Sequence, residues 1–452
     1  MSSAPQTVMA VDRLFTVNRL DGLADRPSPS RSPFQRDYDR IIFCGSFRRL
    51  ADKTQIFPLP TDDHVHSRLT HSLEVASIGR SLGAMVGERL AERRLLPGHF
   101  TPRDVGDAVA AACLAHDLGN PPFGHVGEDA IREFFAEHRD SAWFAGLPPH
   151  TQSDLLQFEG NAQAFAIVTR IEKASPAHGL NLTAVTLGAL LKYPCGSSAT
   201  VKDGRPHRRK HGFHARDVAV MRALAGQLGL RPEDSAGLAW ARHPLAFLTE
   251  AADDIAYQIL DLEDGLRLNL VPRTLYQDTL RVICEGAKRI DQTDLTTLGR
   301  QDMLRVAGHN RAVAVGRLAK DAANAFMAHV DAIFAGSHDR ALKKDMALGE
   351  QLRVVKALNE RYCYAARDVL KMEIAGTAAI KGVLGALVQA ARGGNDIQSR
   401  HLRALLPDIV TGEASFADQI VCVTDHVAGM TDSYILRLYR ELTGIRLPGD
   451  RE

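Results

Sequence analysis

Strand-like alternation is what this chain has least of. Runs in which apolar and polar residues alternate are few, and aromatics make up only 6% of its 452 residues, so nothing points to a β-rich core. Six cysteines, at 44, 113, 195, 284, 363 and 422, are scattered with no C-x-x-C pair among them. In a chain this long that spacing argues against a disulfide frame and suggests a reducing compartment. The net charge of +1 leaves no global field to collect nucleic acid or an anionic membrane, so any anion site has to be local. No apolar run approaches the ~18 residues that span a bilayer. Residues 1–13 lack the basic-then-apolar pattern of a secretory leader. The expected location is the cytoplasm, with no membrane association. A Walker-type glycine loop is missing, since the turn at 119–124 is too proline-rich to serve as one, and this removes the P-loop class. No internal repeat is found. With 45% hydrophobic and 24% charged residues, the chain is otherwise an ordinary globular one with ample material for a core.

What is present is helical periodicity. Apolar positions fall at helical spacing over 69–96, 105–115, 126–134, 182–191, 243–266, 275–290, 312–334, 352–370, 375–391 and 424–442. The expected fold class is therefore all-α. Residues 1–30 read as an irregular arm, 31–270 as a core, and 271–452 as a helical C-terminal region packed on that core. Residues 31–60 are dense in arginine (Arg31, Arg36, Arg40, Arg48, Arg49) with Phe34, Tyr38, Phe43 and Phe47 between them. Such a stretch is either a phosphate-binding or subunit-contact surface, or a solvated helix face with its aromatics turned inward. Residues 196–214 are rich in Gly, Ser and basic residues and read as an exposed loop. Its basic part, 202–210, could clamp phosphates, bind single-stranded nucleic acid or simply be solvated.

The chemistry concentrates where the 105–115 helix ends. His116 and Asp117 stand side by side there, before a glycine and two prolines that stop the helix. Two polar side chains at the end of a buried helix need partners, and a divalent cation accepts an imidazole nitrogen and a carboxylate oxygen together. Two other segments supply what the pair needs. Arg68 and His71, three apart, share a helix face, so His71 can turn to a metal while Arg68 reaches an anion bound to it. In 250–257, two acids sit inside an apolar helix, and Asp253, Tyr257 and Asp261 recur every four residues as one polar stripe. His71, His116, Asp117 and Asp253 together give two imidazoles and two carboxylates without a thiolate. That set suits manganese, magnesium or another hard-to-borderline ion, which can acidify a bound water. Just past the turn, Glu128 lies three residues after His125 and can orient its imidazole, as a general acid for a leaving alkoxide requires.

At this point the chain resembles the HD-domain metal-dependent phosphohydrolases, whose pattern is H…HD…D with an arginine three before the first histidine. More narrowly it resembles the bacterial deoxyguanosinetriphosphate triphosphohydrolase (dGTPase) family. The matching stretches are FRRLADKTQIFP (47–58), SRLTHSLEV (67–75), HDLGNPPFGHVGE (116–128), FEGNAQAF (158–165), LTAVTLGALLKYP (182–194), EAADDIAYQILDLEDG (250–265) and VAGMTDSY (427–434). The resemblance implies an HD-type helical core in which His71, His116, Asp117 and Asp253 hold the metal. Asp253 is preferred to Asp254 because the family's metal aspartate lies four before the site tyrosine, here Tyr257. It implies His125 and Glu128 as the catalytic pair and Gln55 on the sugar 3′-hydroxyl. Tyr257 would lie under the sugar, where a 2′-hydroxyl finds neither room nor partner. Arg68, Lys192 and Lys210 would meet the triphosphate, Asp261 the sugar or a phosphate-bound cation. Asn161, with Glu159 and Gln163, would line the same pocket. The implied reaction is attack by metal-bound hydroxide on the α-phosphorus, with His125 protonating the departing 5′ oxygen and tripolyphosphate leaving intact. It also implies a homo-oligomer, commonly a hexamer, and a dNTP effector.

Two other functions compete with this expectation. One is a different HD chemistry, a 5′-nucleotidase or cyclic-nucleotide phosphodiesterase. The other is a regulator that binds nucleotide or single-stranded nucleic acid without turnover.

Overall fold

The computed structural model of the chain describes residues 9–24, 30–57, 64–173, 178–201, 205–406, 408 and 415–445, and among them it contains helices and isolated β-bridges but no strand. The all-α expectation holds. The elements that position the site are α1 (Pro33–Phe43), α2 (Arg68–Glu92), α3 (Pro102–Ala115), α4 (His125–Glu137), α5 (Pro149–Leu156), α6 (Gly160–Ala166), α7 (Ala184–Leu190) and α8 (Ala246–Arg267). They continue with α9 (Arg300–Ala328), α10 (Gly349–Asn359), α11 (Arg367–Ala391), α12 (Phe416–Ala428) and α13 (Asp432–Leu442).

The two helices that bring the first three metal-type side chains together are capped by their own sequence. Ser67 opens α2 by accepting from Thr70 N, and Thr101 opens α3 by accepting from Asp104 N with Pro102 at the first turn. Each cap satisfies N–H groups that a helix start leaves unpaired. The apolar run Val105–Ala115 is buried throughout, so α3 has no solvent side along this length. Truncating Leu114 there costs about 2–5 kcal/mol. α2 lies close against α3 because glycines face it: a Cβ on Gly83 would meet Gly106 Cα at 2.9 Å, and one on Gly87 would meet Pro102 Cα at 2.8 Å. This close packing sets His71 beside the end of α3.

Two apolar clusters form the interior. The larger draws side chains from Met9 to Val369 and contains α2, α3, α7 and α8. The second joins Ile131, Phe134 and Phe135 of α4 to Ile380, Val383, Leu384 and Leu387 of α11 and to α12 and α13. The helix that starts at His125 is thus anchored by the C-terminal region. Within 9–24, Leu14 and Phe15 are fully buried, whereas residues 1–8 and 25–29 of the expected irregular arm lie outside the described residues. In the arginine-rich stretch Phe34 and Phe47 are buried and Phe43 is exposed. Arg40 donates to the carbonyls of Leu180 and Asn181.

Several boundaries differ from the periodicity. The apolar pattern over 352–370 spans a break, where α10 ends in a π turn at Glu360–Tyr364 before α11 starts at Arg367. The pattern over 424–442 is two helices, because Thr431 caps a new start by accepting from Tyr434 N. No uninterrupted apolar run is long enough to span a bilayer, as expected, because α11 carries Lys371, Glu373 and Lys381. By length and composition, however, α11 as a whole is long and apolar enough to do so, with mean hydropathy 1.5. Its apolar face is spent on the second cluster, where Ile380, Val383, Leu384 and Leu387 are fully buried. The exposed-loop reading of 196–214 is also corrected. Residues 202–204 lie outside the described residues, but His207, Arg208, His211 and His214 are buried. Arg208 donates to Ala199 O at 2.7 Å, and His207 meets Glu233 at 2.8 Å. His207 and Arg208 are thus held by specific acceptors, which is why charge alone misreads the segment.

Candidate active site

His116 is the C-cap of α3, and its Nδ1 lies 2.6 Å from Cys113 O. That contact assigns one ring proton to Nδ1 and turns Nε2 toward the carboxylates. His116 Nε2 is buried and makes no hydrogen bond. Around it stand the carboxylates of Asp117 and Asp253, each with an oxygen 3.4 Å away, and the same Asp253 oxygen is 3.4 Å from His71 Nε2. One ligand atom each from His71, His116 and Asp117 fall within 4.8 Å of one another. Asp117 is steadied from two sides, by Arg68 Nη1 at 2.7 Å and Asn120 Nδ2 at 2.5 Å. Asp254, the neighbour of Asp253, also lines the cavity but is paired with Lys343 at 2.8 Å.

The electrostatics agree with a cation-binding cluster. Burial would push the His116 imidazole down, yet Asp117 and Asp253 raise it to about 9. Burial would push Asp117 up, yet His116, Arg68 and His71 hold it at about 2. Asp253 is likewise held well below the usual carboxylate range against burial, chiefly by His116. Two carboxylates, Asp117 buried and Asp253 partly buried, kept ionised beside an orphaned imidazole nitrogen are a donor set that a divalent cation completes.

This cluster forms one side of a cavity of about 450 Å³. Of the expected site residues, Gln55, Arg68, His71, His116, Asp117, His125, Asn161, Lys192, Asp253 and Tyr257 line it, as does Lys210. Gln55 Oε1 is buried without a partner. Lys192 lies 3.5 Å from Glu250, and although burial would lower its ammonium, Tyr193, Glu250 and Asp254 raise it. Arg68 lines the cavity with its guanidinium already committed to Asp117. Glu159 and Gln163 stand behind the wall: Glu159 receives Lys210 at 2.8 Å and Asn161 Nδ2 at 2.7 Å, while Gln163 meets His214. Asp261 is also behind the wall, where it accepts from Tyr364 OH at 2.7 Å.

His125 starts α4 with its side chain 73% exposed and facing the cavity, whereas the Glu128 side chain beneath it is 1% exposed. Glu128 accepts from His125 Nδ1 at 2.9 Å and from Gly160 N at 2.7 Å, with Lys210 Nζ at 4.0 Å. Burial would raise this carboxyl, and the His125 hydrogen bond and charge lower it instead. The turn before α4 has a steric reason for Gly124. Its φ is +58°, and a Cβ there would sit 2.2 Å from Arg68 Nη2.

Sequence reasoning missed Tyr364. Its ring packs 5.9 Å from Tyr257, and together with Val369, Met372 and Glu373 it brings the C-terminal region into the cavity wall. Arg209 and Tyr193 also line the cavity. Tyr364 sits 103 positions from Asp261 in a segment with no motif of its own.

An all-helical fold with an H…HD…D cluster defines an HD-domain metal-dependent phosphohydrolase. The family model described as HD domain matches residues 68–155, and the one described as Phosphohydrolase-associated domain matches 342–441. The chain is 37% identical over 427 residues to a deoxyguanosinetriphosphate triphosphohydrolase-like protein of Synechocystis, covering 92% of this chain and 95% of that protein. A protein of the same description from Pseudomonas aeruginosa is 39% identical over 430 residues, with the same coverage. The deoxyguanosinetriphosphate triphosphohydrolase of Yersinia pseudotuberculosis is 31% identical over 394 residues, 78% of this chain and 75% of that one. The chain belongs to the deoxyguanosinetriphosphate triphosphohydrolase-like family.

Proposed function

We propose that the chain hydrolyses deoxynucleoside triphosphates to a deoxynucleoside and tripolyphosphate. The observation that carries this reading is a single cavity with three kinds of wall. One wall holds two imidazoles and two carboxylates. Another presents His125 on a buried carboxylate, and the rest of the lining adds Lys192, Arg209 and Lys210 together with a tyrosine pair.

His71, His116, Asp117 and Asp253 would hold the divalent cation, manganese or magnesium among the suited ions. When bound, such a cation supplies Lewis acidity, which polarises a phosphoryl group and makes water acidic enough to attack at neutral pH. Arg68 keeps Asp117 ionised and oriented, as its 2.7 Å hydrogen bond allows. Lys192, Arg209 and Lys210 neutralise the triphosphate oxygens, so that charge building toward the leaving side meets fixed cations. His125 donates a proton to the departing 5′ oxygen, and Glu128 holds that imidazole by its Nδ1 so that Nε2 faces the cavity. Gln55, whose buried Oε1 lacks a partner, accepts from the sugar 3′-hydroxyl. Tyr257, backed by Tyr364 and Asp261, fills the space beside C2′ and turns away ribonucleotides. In this reading 31–270 is the phosphohydrolase core, and 271–452 completes the wall and serves assembly into a homo-oligomer.

Chromatography of products from all eight ribo- and deoxyribonucleoside triphosphates, each with magnesium, manganese or cobalt, tests the proposal. Deoxynucleoside with tripolyphosphate supports it. Pyrophosphate with a nucleoside monophosphate, or turnover of monophosphates alone, assigns a different HD chemistry. Nucleic-acid binding without turnover under every ion and dNTP mixture assigns a binding module.

A further inference from the structure

A second cluster of metal-type side chains lies outside the cavity. Asp154 on α5 meets His211 and His214 from the segment that follows the basic stretch, and all three are buried. One imidazole nitrogen of each histidine and one Asp154 oxygen lie within 4.8 Å of one another. The two rings are 5.6 Å apart, centre to centre. None of the three lines the catalytic cavity.

Ordinary hydrogen bonding accounts for only part of this arrangement. Asp154 accepts from Ser197 Oγ at 2.6 Å and from Ala215 N at 2.7 Å, which leaves lone pairs on both carboxylate oxygens. His214 Nε2 pairs with Gln163 Oε1 at 3.2 Å, so that nitrogen carries the proton and Nδ1 is the lone-pair nitrogen. His211, 1% exposed, has an Nε2 with no hydrogen-bond partner at all. A buried imidazole nitrogen without a partner is costly, and a native interior rarely tolerates it without a ligand.

We propose that Asp154, His211 and His214 form a second metal site, of the zinc class, that is structural and separate from the catalytic cation. Two imidazoles and a carboxylate favour a borderline ion such as zinc over magnesium, and three protein ligands leave one position of a tetrahedron for water. The segment it would pin is the one that carries Arg209 and Lys210 into the cavity wall. A bound ion there ties that segment to α5 and fixes where those two cations stand.

The test counts zinc per chain by elemental mass spectrometry on the full-length protein, after removal of metal and reloading. The expected result is two ions for the wild type and one for His116→Ala/Asp117→Ala, which retains only the second site. His211→Asn/His214→Asn should also hold one, and the combination of all four substitutions none. A folded His116→Ala/Asp117→Ala chain that binds no zinc overturns the proposal. So does a His211→Asn/His214→Asn chain that binds as much as the wild type. If the latter pair fails to fold, cobalt(II) added to the His116→Ala/Asp117→Ala chain decides the matter. A strong visible absorption saturating at one equivalent supports the site, and the weak spectrum of aqueous cobalt overturns it. Both readouts are independent of turnover, so a failure of the proposed hydrolysis leaves this inference standing or falling on its own.

Discussion

Glu128→Gln isolates the acid-base half of the site from the metal half. The substitution keeps the side chain's shape under His125 and removes only its charge and one acceptor. Glu128 is 1% exposed and both of its oxygens are engaged, one by His125 Nδ1 at 2.9 Å and the other by Gly160 N at 2.7 Å. An amide that accepts from Gly160 turns its own NH2 toward His125 Nδ1, which disfavours the doubly protonated imidazolium. A positioned general acid contributes about 10²–10⁴-fold, and most of that depends on the ring being an imidazolium, with one proton held by Glu128 and the other on the cavity side. The expected effect is a fall in kcat of about 10²–10³-fold, or about 2.7–4 kcal/mol of barrier, with KM changed little. Added to His125→Ala, the substitution should cost little more, because the two residues act as one unit. Stability gives an independent check on the same contact. Burial would raise the Glu128 carboxyl, but His125 lowers it below its ordinary 4.5. Its stabilisation is therefore present above pH 4.5 and lost as pH falls, so the Tm gap between wild type and variant should narrow in acid. A folded Glu128→Gln protein with kcat within about threefold of wild type would refute the assignment of His125 as acid.

Four further outcomes are expected. His116→Ala or Asp117→Asn should abolish hydrolysis and lower manganese affinity by about 10–100-fold or more, read by calorimetric titration. Gly124→Ala should destabilise the chain by about 1–3 kcal/mol through its positive φ; its Cβ would also strike Arg68, so metal affinity should fall even though no ligand is changed. Tyr364→Phe removes the donor to buried Asp261, costing about 1–3 kcal/mol in chemical denaturation, and should weaken the preference for dGTP over GTP by loosening Tyr257. His66 is lowered by burial but raised overall to about 10 by Asp264, 2.8 Å away, and Glu74, 3.0 Å away. Its stabilisation is full below pH 6.5 and lost as pH rises through 10, so His66→Gln should cost roughly 2–4 kcal/mol at pH 6 and little above pH 10.

The readable parts of the sequence were those in which short-range pattern decides. Val105–Ala115 is apolar apart from Asp107 and reads as a buried helix, so the residues at its end are placed by it. His125 and Glu128 are one helical turn apart, which fixes their contact without knowledge of the fold. Tyr364 and the buried partners of the basic segment depend on long-range packing, which no local pattern encodes. Asp261 shows the same limit. Its spacing puts it on the stripe with Asp253 and Tyr257, but Tyr364 arrives from the far end of the chain and takes its hydrogen bond.

The central claim is that water attacks the α-phosphorus in a cavity walled by these ligands and that His125 releases the 5′ oxygen. Turnover of dGTP in ¹⁸O-labelled water, with products resolved by mass spectrometry, tests it most directly. The account predicts unlabelled deoxyguanosine and one labelled oxygen on a terminal phosphorus of tripolyphosphate. Label in the deoxynucleoside, or in free pyrophosphate or orthophosphate, would contradict it.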